Sequence, residues 1–251
     1  MAELRMLFIG AIVVAAGSPA LAGHQSHHWS YSGKEGPSHW ASLDAKNAAC
    51  AAKSQSPIEI RTAAVHREAL PALIFNYRPV PVRIVDNGHT IQVNYDPGSS
   101  LTVGGRRYEL VQFHFHRPSE EVIDGKRAAM VAHLVHRDSQ GHLAVVAVPL
   151  RPGHQNQLLE TLWRNLPTAK EKQVARSDVR ITAASLLPAG RGYYAYSGSL
   201  TTPPCSEGVR WLVLKTPTEV SVREVEVFAA RYPHNARPIQ PRNGRVVLSS
   251  K

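Results

Sequence analysis

A single domain built on a large, twisted, mostly antiparallel β-sheet with a few short peripheral helices is the fold class this sequence predicts, mainly β within the α+β group. Three observations predict it. Apolar and polar residues alternate with period two in one stretch after another, turn-forming residues recur between those stretches, and helical periodicity is sparse. The chain of 251 residues, 43% of them hydrophobic types, is long enough for a sizeable core. Its 18 prolines and 17 glycines are scattered without period, which excludes disordered, collagenous and coiled-coil classes.

The first 22 residues, MAELRMLFIGAIVVAAGSPALA, read as a signal peptide. Arg5 precedes an apolar run from Met6 to Gly17, and Ala20-Leu21-Ala22 supplies the small-residue cleavage pattern. The run is too short and too well ended for a membrane span, and no other segment reaches about 18 consecutive apolar residues. The mature chain then begins at Gly23 in an oxidising compartment, periplasmic or extracellular. Two cysteines are too few for a disulfide scaffold. In that compartment their simplest state is one Cys50–Cys205 bridge, worth ~4 to 5 kcal/mol in the chain-entropy model; two separate buried thiols are the alternative.

Along the mature chain, weak helical pattern near Asp44 to Ala52 gives way to alternating stretches at Val82 to Val85, His89 to Tyr95, Tyr108 to His116, Ala129 to His136 and Leu143 to Val148. Asn87-Gly88, Pro97-Gly98, Gly104-Gly105, Asp124-Gly125 and Gly141 mark turns among them. Gln155 to Asn165 is the best helical pattern, Val209 to Leu214 is a further strand, and Glu219 to Ala230 is a weaker helix. No repeat or break in composition divides the chain. The balance of 29 basic against 19 acidic residues gives +10. Its short, dispersed groups (Arg106-Arg107, Lys170 to Lys172, Arg242 to Arg245) describe a solvated basic surface with affinity for anionic envelope surfaces, and no nucleic-acid partner is expected.

Chemistry concentrates in two strands. His114 and His116 stand two apart, so a strand turns both imidazoles to one face; Val131, His133 and Val135 share a face of the next strand, and His136 points the other way as a core or surface histidine. A two-residue turn at Asp124-Gly125 sets Ile123 opposite Lys126 and, by extension, His116 opposite His133, although Pro118 interrupts the ladder. Three imidazoles converging on one sheet face suit a catalytic zinc site with an open fourth position better than a structural site.

Several segments together resemble the α-class carbonic anhydrases of the bacterial, exported kind: HHWSYSGKEGPSHW (His27 to Trp40), QSPI (Gln55 to Ile58), DNGHTIQV (Asp86 to Val93), QFHFHRPSE (Gln112 to Glu120), AHLVH (Ala132 to His136), LAVVAV (Leu143 to Val148), YSGSLTTPPCSEGVRW (Tyr196 to Trp211) and NARPIQPRNGR (Asn235 to Arg245). The likeness spans nearly the whole mature chain. It implies a catalytic domain over residues 23–251 and reversible hydration of CO₂ to bicarbonate and a proton by zinc-bound hydroxide, in a monomer or homodimer. By the same resemblance Zn²⁺ is held by His114, His116 and His133. Thr201 would accept the hydroxide proton and donate its own to ionised Glu120. Val135, Val145, Leu200, Thr202, Val209 and Trp211 would hold CO₂. His89 would be the proton shuttle, with Tyr31, Asn87 and Gln92 ordering water, and Gln112 and the backbone of Asn235 would orient His114 and His116.

One departure stands out. Relatives read PSEH and MEAHLVH where this chain has Pro118-Ser119-Glu120-Glu121 and Met130-Val131-Ala132-His133, so the carboxylate expected two residues before the third ligand is Val131. Either Glu121 supplies a relocated carboxylate to His133, or that ligand has lost its partner. The rival functions are a non-enzymatic binding protein on the same scaffold, against which the three retained histidines argue, and a polyanion binder resting on charge alone.

Overall fold

The computed structural model describes residues 28–251, so the expected signal peptide lies outside the described residues. A 13-stranded sheet dominates. From one edge its strands run Lys172–Ile181, Val80–Asp86, Ile91–Asn94, Arg106–His116, Met130–Arg137, Leu143–Pro152, Glu207–Leu214, Tyr193–Ser199, Leu248–Ser250 and His66–Glu68, with three short strands off this path. Most pairings are antiparallel, as the short turns require. The sheet is nevertheless mixed: Leu143–Pro152 runs parallel to Glu207–Leu214, and Leu248–Ser250 runs parallel to His66–Glu68.

Helices are short and peripheral. Gln157–Arg164 begins where the Asn156 side chain accepts from the Leu158 and Leu159 amides, and Val222–Ala229 begins with a Ser221/Glu224 capping box. Thr218–Val220, which overlaps the start of the stretch expected to be helical from Glu219, instead pairs with the end of Leu143–Pro152. The window near Asp44 folds into three-ten turns over Ala45–Ala51. Among the described residues no helix is long and apolar enough to cross a membrane.

Period-two alternation divides the residues of the central strands between two faces. Phe113, Phe115, Met130, Ala132, Leu134, Ala144 and Val146 point into the larger core. Val131, Val145, Ala147, Val209, Trp211 and Val213 form a second apolar cluster on the opposite face, beside the three histidines. His136 belongs to the first face: it is fully buried, receives the Tyr77 hydroxyl at Nε2 (2.7 Å) and faces the Ala144 carbonyl through Nδ1 (3.3 Å).

The expected register needs correction. Ile123 does face Lys126 across the Asp124-Gly125 turn, but His133 pairs with His114, and His116 pairs with Val131. The hairpin ladder is not continuous back to the turn. Arg117 to Glu121 leave it in a bend containing a cis peptide at Pro118, and Val122–Ile123 pair in parallel with Glu59–Ile60 instead. The slip is two residues, so every side chain keeps its face.

Candidate metal centre and active site

The central hairpin presents His114, His116 and His133 on one face, and one ligand atom from each lies within 4.8 Å of the others. In every case the second ring nitrogen is occupied. His114 Nδ1 donates to Gln112 Oε1 (2.8 Å), His116 Nδ1 to the Asn235 carbonyl (2.7 Å), and His133 Nε2 to Glu121 Oε1 (2.8 Å). That leaves His114 Nε2, His116 Nε2 and His133 Nδ1 as the converging lone pairs. His116 Nε2 is buried with no hydrogen-bond partner among the described residues, an arrangement that costs free energy unless something else fills it.

The electrostatics favour neutral rings at His114 and His116. Burial, reinforced by the neighbouring imidazoles, holds His114 well below its ordinary range, and burial pushes His116 down to about 4 against the opposing Asn235 carbonyl and Glu121. Three nitrogen donors, each oriented by an outer acceptor, fit a Zn²⁺ site with an open fourth position.

Glu120 is fully buried behind the histidines. Its Oε1 accepts the Arg237 amide at 2.7 Å, while Oε2 lies 3.9 Å from His133 Nδ1 and makes no well-aligned hydrogen bond. Burial pushes this carboxyl up to about 7, opposed by His133, the Thr201 hydroxyl and the Arg237 amide. Thr201 and Thr202 sit on a tight loop: the Leu200 amide bonds the Ser206 carbonyl (3.0 Å), and the Cys205 amide bonds the Thr202 carbonyl (2.8 Å). Cys205 is bridged to Cys50, which excludes the alternative of two free thiols, and the bridge packs against Trp40.

All five apolar residues expected around the substrate fall in the second cluster. Val145, Val209 and Trp211 are buried within it, and Val135 and Leu200 pack against it. Val145 stands opposite both Val135 and Trp211 in adjacent pairings, and the Trp211 ring lies 4.9 Å from that of His133.

At the rim, Gly88 takes φ +84°, a conformation glycine tolerates, and the Asn87 side chain accepts from the His89 and Thr90 amides. Gln92 pairs with His114 across strands and bonds Asn94. The buried Tyr31 hydroxyl has no hydrogen-bond partner among the described residues, and burial together with Glu120 raises its pKa. Two contributors escape the sequence reading. Trp29 stacks on His89, and Arg237 holds Glu120 through its amide while its buried guanidinium binds Gln55 and the Ser56 and Cys50 carbonyls. Both lie in segments that carried the family resemblance, but only tertiary contact reveals their roles.

The profile of a family described as eukaryotic-type carbonic anhydrase matches residues 35–251. The chain is 42% identical over 237 residues to a carbonic anhydrase of Nostoc sp., covering 93% of this chain and 89% of that one. It is also 42% identical over 241 residues to a carbonic anhydrase of Neisseria gonorrhoeae, covering 94% of each. An α-carbonic anhydrase of Thermovibrio ammonificans, solved with the inhibitor sulfanilamide, superposes with a TM-score of 0.86 at 42% identity over 88% of this chain and 99% of that one.

Proposed function

This chain belongs to the eukaryotic-type, or α, carbonic anhydrase family, and we propose that it catalyses the reversible hydration of CO₂ to bicarbonate and a proton using one zinc ion at His114, His116 and His133. The observation that carries the reading is the convergence of three imidazole nitrogens within 4.8 Å, each ring oriented from behind, beside an apolar cluster. When bound, zinc supplies the positive charge that brings the pKa of a water to about 7, a value known from carbonic anhydrases themselves.

The chain's own residues do the rest. The Arg237 amide fixes Glu120 Oε1 and leaves Oε2 to take the Thr201 hydroxyl proton. A divalent charge at the histidines favours the ionised form of Glu120. Thr201, with its proton committed to Glu120, has its oxygen lone pairs free to accept from the attacking oxygen and thereby aim it, because a hydroxyl both donates and accepts. Val135, Val145, Leu200, Val209 and Trp211 offer CO₂ an apolar surface, with Thr202 at its edge; an uncharged substrate with no strong hydrogen-bonding handle suits such a pocket. His89 carries the proton outwards, through water ordered by Tyr31, Asn87 and Gln92.

Residues 1–22 direct export and residues 23–251 form the catalytic domain, placing the enzyme in the periplasm or outside the cell. The Cys50–Cys205 bridge is consistent with that compartment. Every proposed site residue comes from one chain, which suits a monomer or a homodimer of independent sites. Retention of all three histidines with their acceptors argues against a binding protein on the same scaffold. Metal analysis with a CO₂ hydration assay on purified mature protein tests the reading. It predicts about one zinc per chain and catalysed hydration; zinc-free, inactive protein would refute it.

A further inference from the structure

Two consecutive glutamates flank one imidazole. Glu120 Oε2 lies 3.9 Å from His133 Nδ1, and Glu121 Oε1 lies 2.8 Å from His133 Nε2. Both glutamates are buried, and a buried carboxylate is costly unless it is paired. Glu121 spends its two oxygens locally: Oε1 on His133, and Oε2 within 3.3 Å of the Ser119 hydroxyl, which also reaches the Glu121 carbonyl at 2.9 Å.

The bend that carries Glu121 is anchored from several directions. The Arg127 guanidinium donates to the Ser119 and Glu120 carbonyls, and the Ser119 amide bonds the Ala128 carbonyl at 3.1 Å. Immediately beyond, Val122–Ile123 pair with Glu59–Ile60. The strand that carries His133 supplies no acceptor of its own from the position two residues earlier on the same face. That position is Val131, fully buried and packed among Ile58, Ile60, Val145 and Ala147.

We propose that Glu121 is the positioning residue for His133, delivering from the bend, and not from the strand, the carboxylate that orients this third ring of the metal site. By accepting the Nε2 proton it fixes the tautomer in which Nδ1 is the free ligand atom, and its charge makes that nitrogen a better donor. The inference deepens the function proposed above and rests on it.

The test is a chelator competition with zinc on wild type, Glu121→Gln and the exchange variant Val131→Glu/Glu121→His, each also melted in its metal-free form. Glu121→Gln is expected to bind zinc about 10–100-fold more weakly, while its metal-free melting stays near wild type. The exchange variant, which returns the carboxylate to the strand and gives it a buried partner at 121, is expected to recover most of that loss; a role in folding alone would not be rescued in this way. Wild-type affinity in Glu121→Gln overturns the proposal. Should Glu121→Gln fail to fold, the exchange variant decides: recovered affinity supports the proposal, and affinity as weak as in His133→Ala overturns it. A wild-type protein that binds no zinc would defeat the proposed function, whereas tight wild-type binding left unchanged in Glu121→Gln defeats this inference alone.

Discussion

The rings of Trp29 and His89 lie face to face, with centroids 3.6 Å apart and planes 9° from parallel. Burial pushes the His89 imidazole down to about 4, the His28 and Lys170 charges act in the same direction, and Glu171 opposes them. A group held that low accepts a proton poorly from a donor that titrates near neutrality, which would limit the rate of any proton export through the proposed shuttle His89.

If His89 is nevertheless the shuttle proposed above, His89→Ala should lower turnover only where transfer to buffer limits the rate, and added imidazole should restore it. Stopped-flow hydration at low and high buffer concentrations reads this directly. Identical buffer dependence in wild type and variant would dismiss His89 as the shuttle. Trp29→Ala, by exposing the ring, should move the His89 titration upwards towards about 6.5, as read from its imidazole proton resonances.

Thr201→Ala and Glu120→Gln should each reduce kcat/KM by roughly 100-fold, because the attacking oxygen loses its orientation. Zinc content should be unchanged in both. Near-normal hydration in either variant would remove that residue from the proposed orienting pair.

His136 supplies a prediction about acid stability. Burial holds it down to about 4 while it sits between the Tyr77 hydroxyl and the Ala144 carbonyl. A histidine kept neutral in the fold contributes stability that is complete above its unfolded value of about 6.5 and is lost as pH falls towards 4, since the unfolded chain takes up the proton first. The gap is worth about 3 kcal/mol at most. Urea unfolding of wild type and His136→Gln between these pH values should show a shallower decline in the variant; parallel curves would contradict the assignment.

The strands that carry the site are legible because their two faces differ, apolar residues such as Phe113, Phe115, Ala132 and Leu134 on the core face and the histidines on the other, which leaves a period-two signature, and the same parity puts His114, His116 and His133 together. Their register is not legible, because it is set beyond the hairpin, where Pro118 and the pairing of Val122–Ile123 with Glu59–Ile60 break the ladder. Lys172–Ile181 escapes for a different reason. It is an edge strand with mostly exposed side chains, four of them charged, so its only signal is the backbone pairing to Val80–Asp86. Trp29 and Arg237 act through contacts distant in sequence, with His89 and Glu120 respectively, which no local pattern announces. Glu121 is ambiguous in the sequence for the same reason as the register: the bend decides whether its carboxylate reaches His133.

The Cys50–Cys205 bridge closes a loop of 155 positions behind the Thr201 turn. Replacing both cysteines with serine should cost about 2–5 kcal/mol of stability by denaturant unfolding. A non-reducing peptide map of exported wild type should contain the linked peptides, and a map without them would refute the bridge.

Zinc reconstitution tests the central claim most directly. Metal-free protein is titrated with zinc while CO₂ hydration is followed by stopped flow, in wild type and in His114→Ala, His116→Ala and His133→Ala. Wild-type activity should rise with added zinc and level off at about one equivalent per chain, and none of the three variants should recover it. Full hydration activity without metal, or near-normal recovery in any one of the variants, would contradict the three-histidine zinc site.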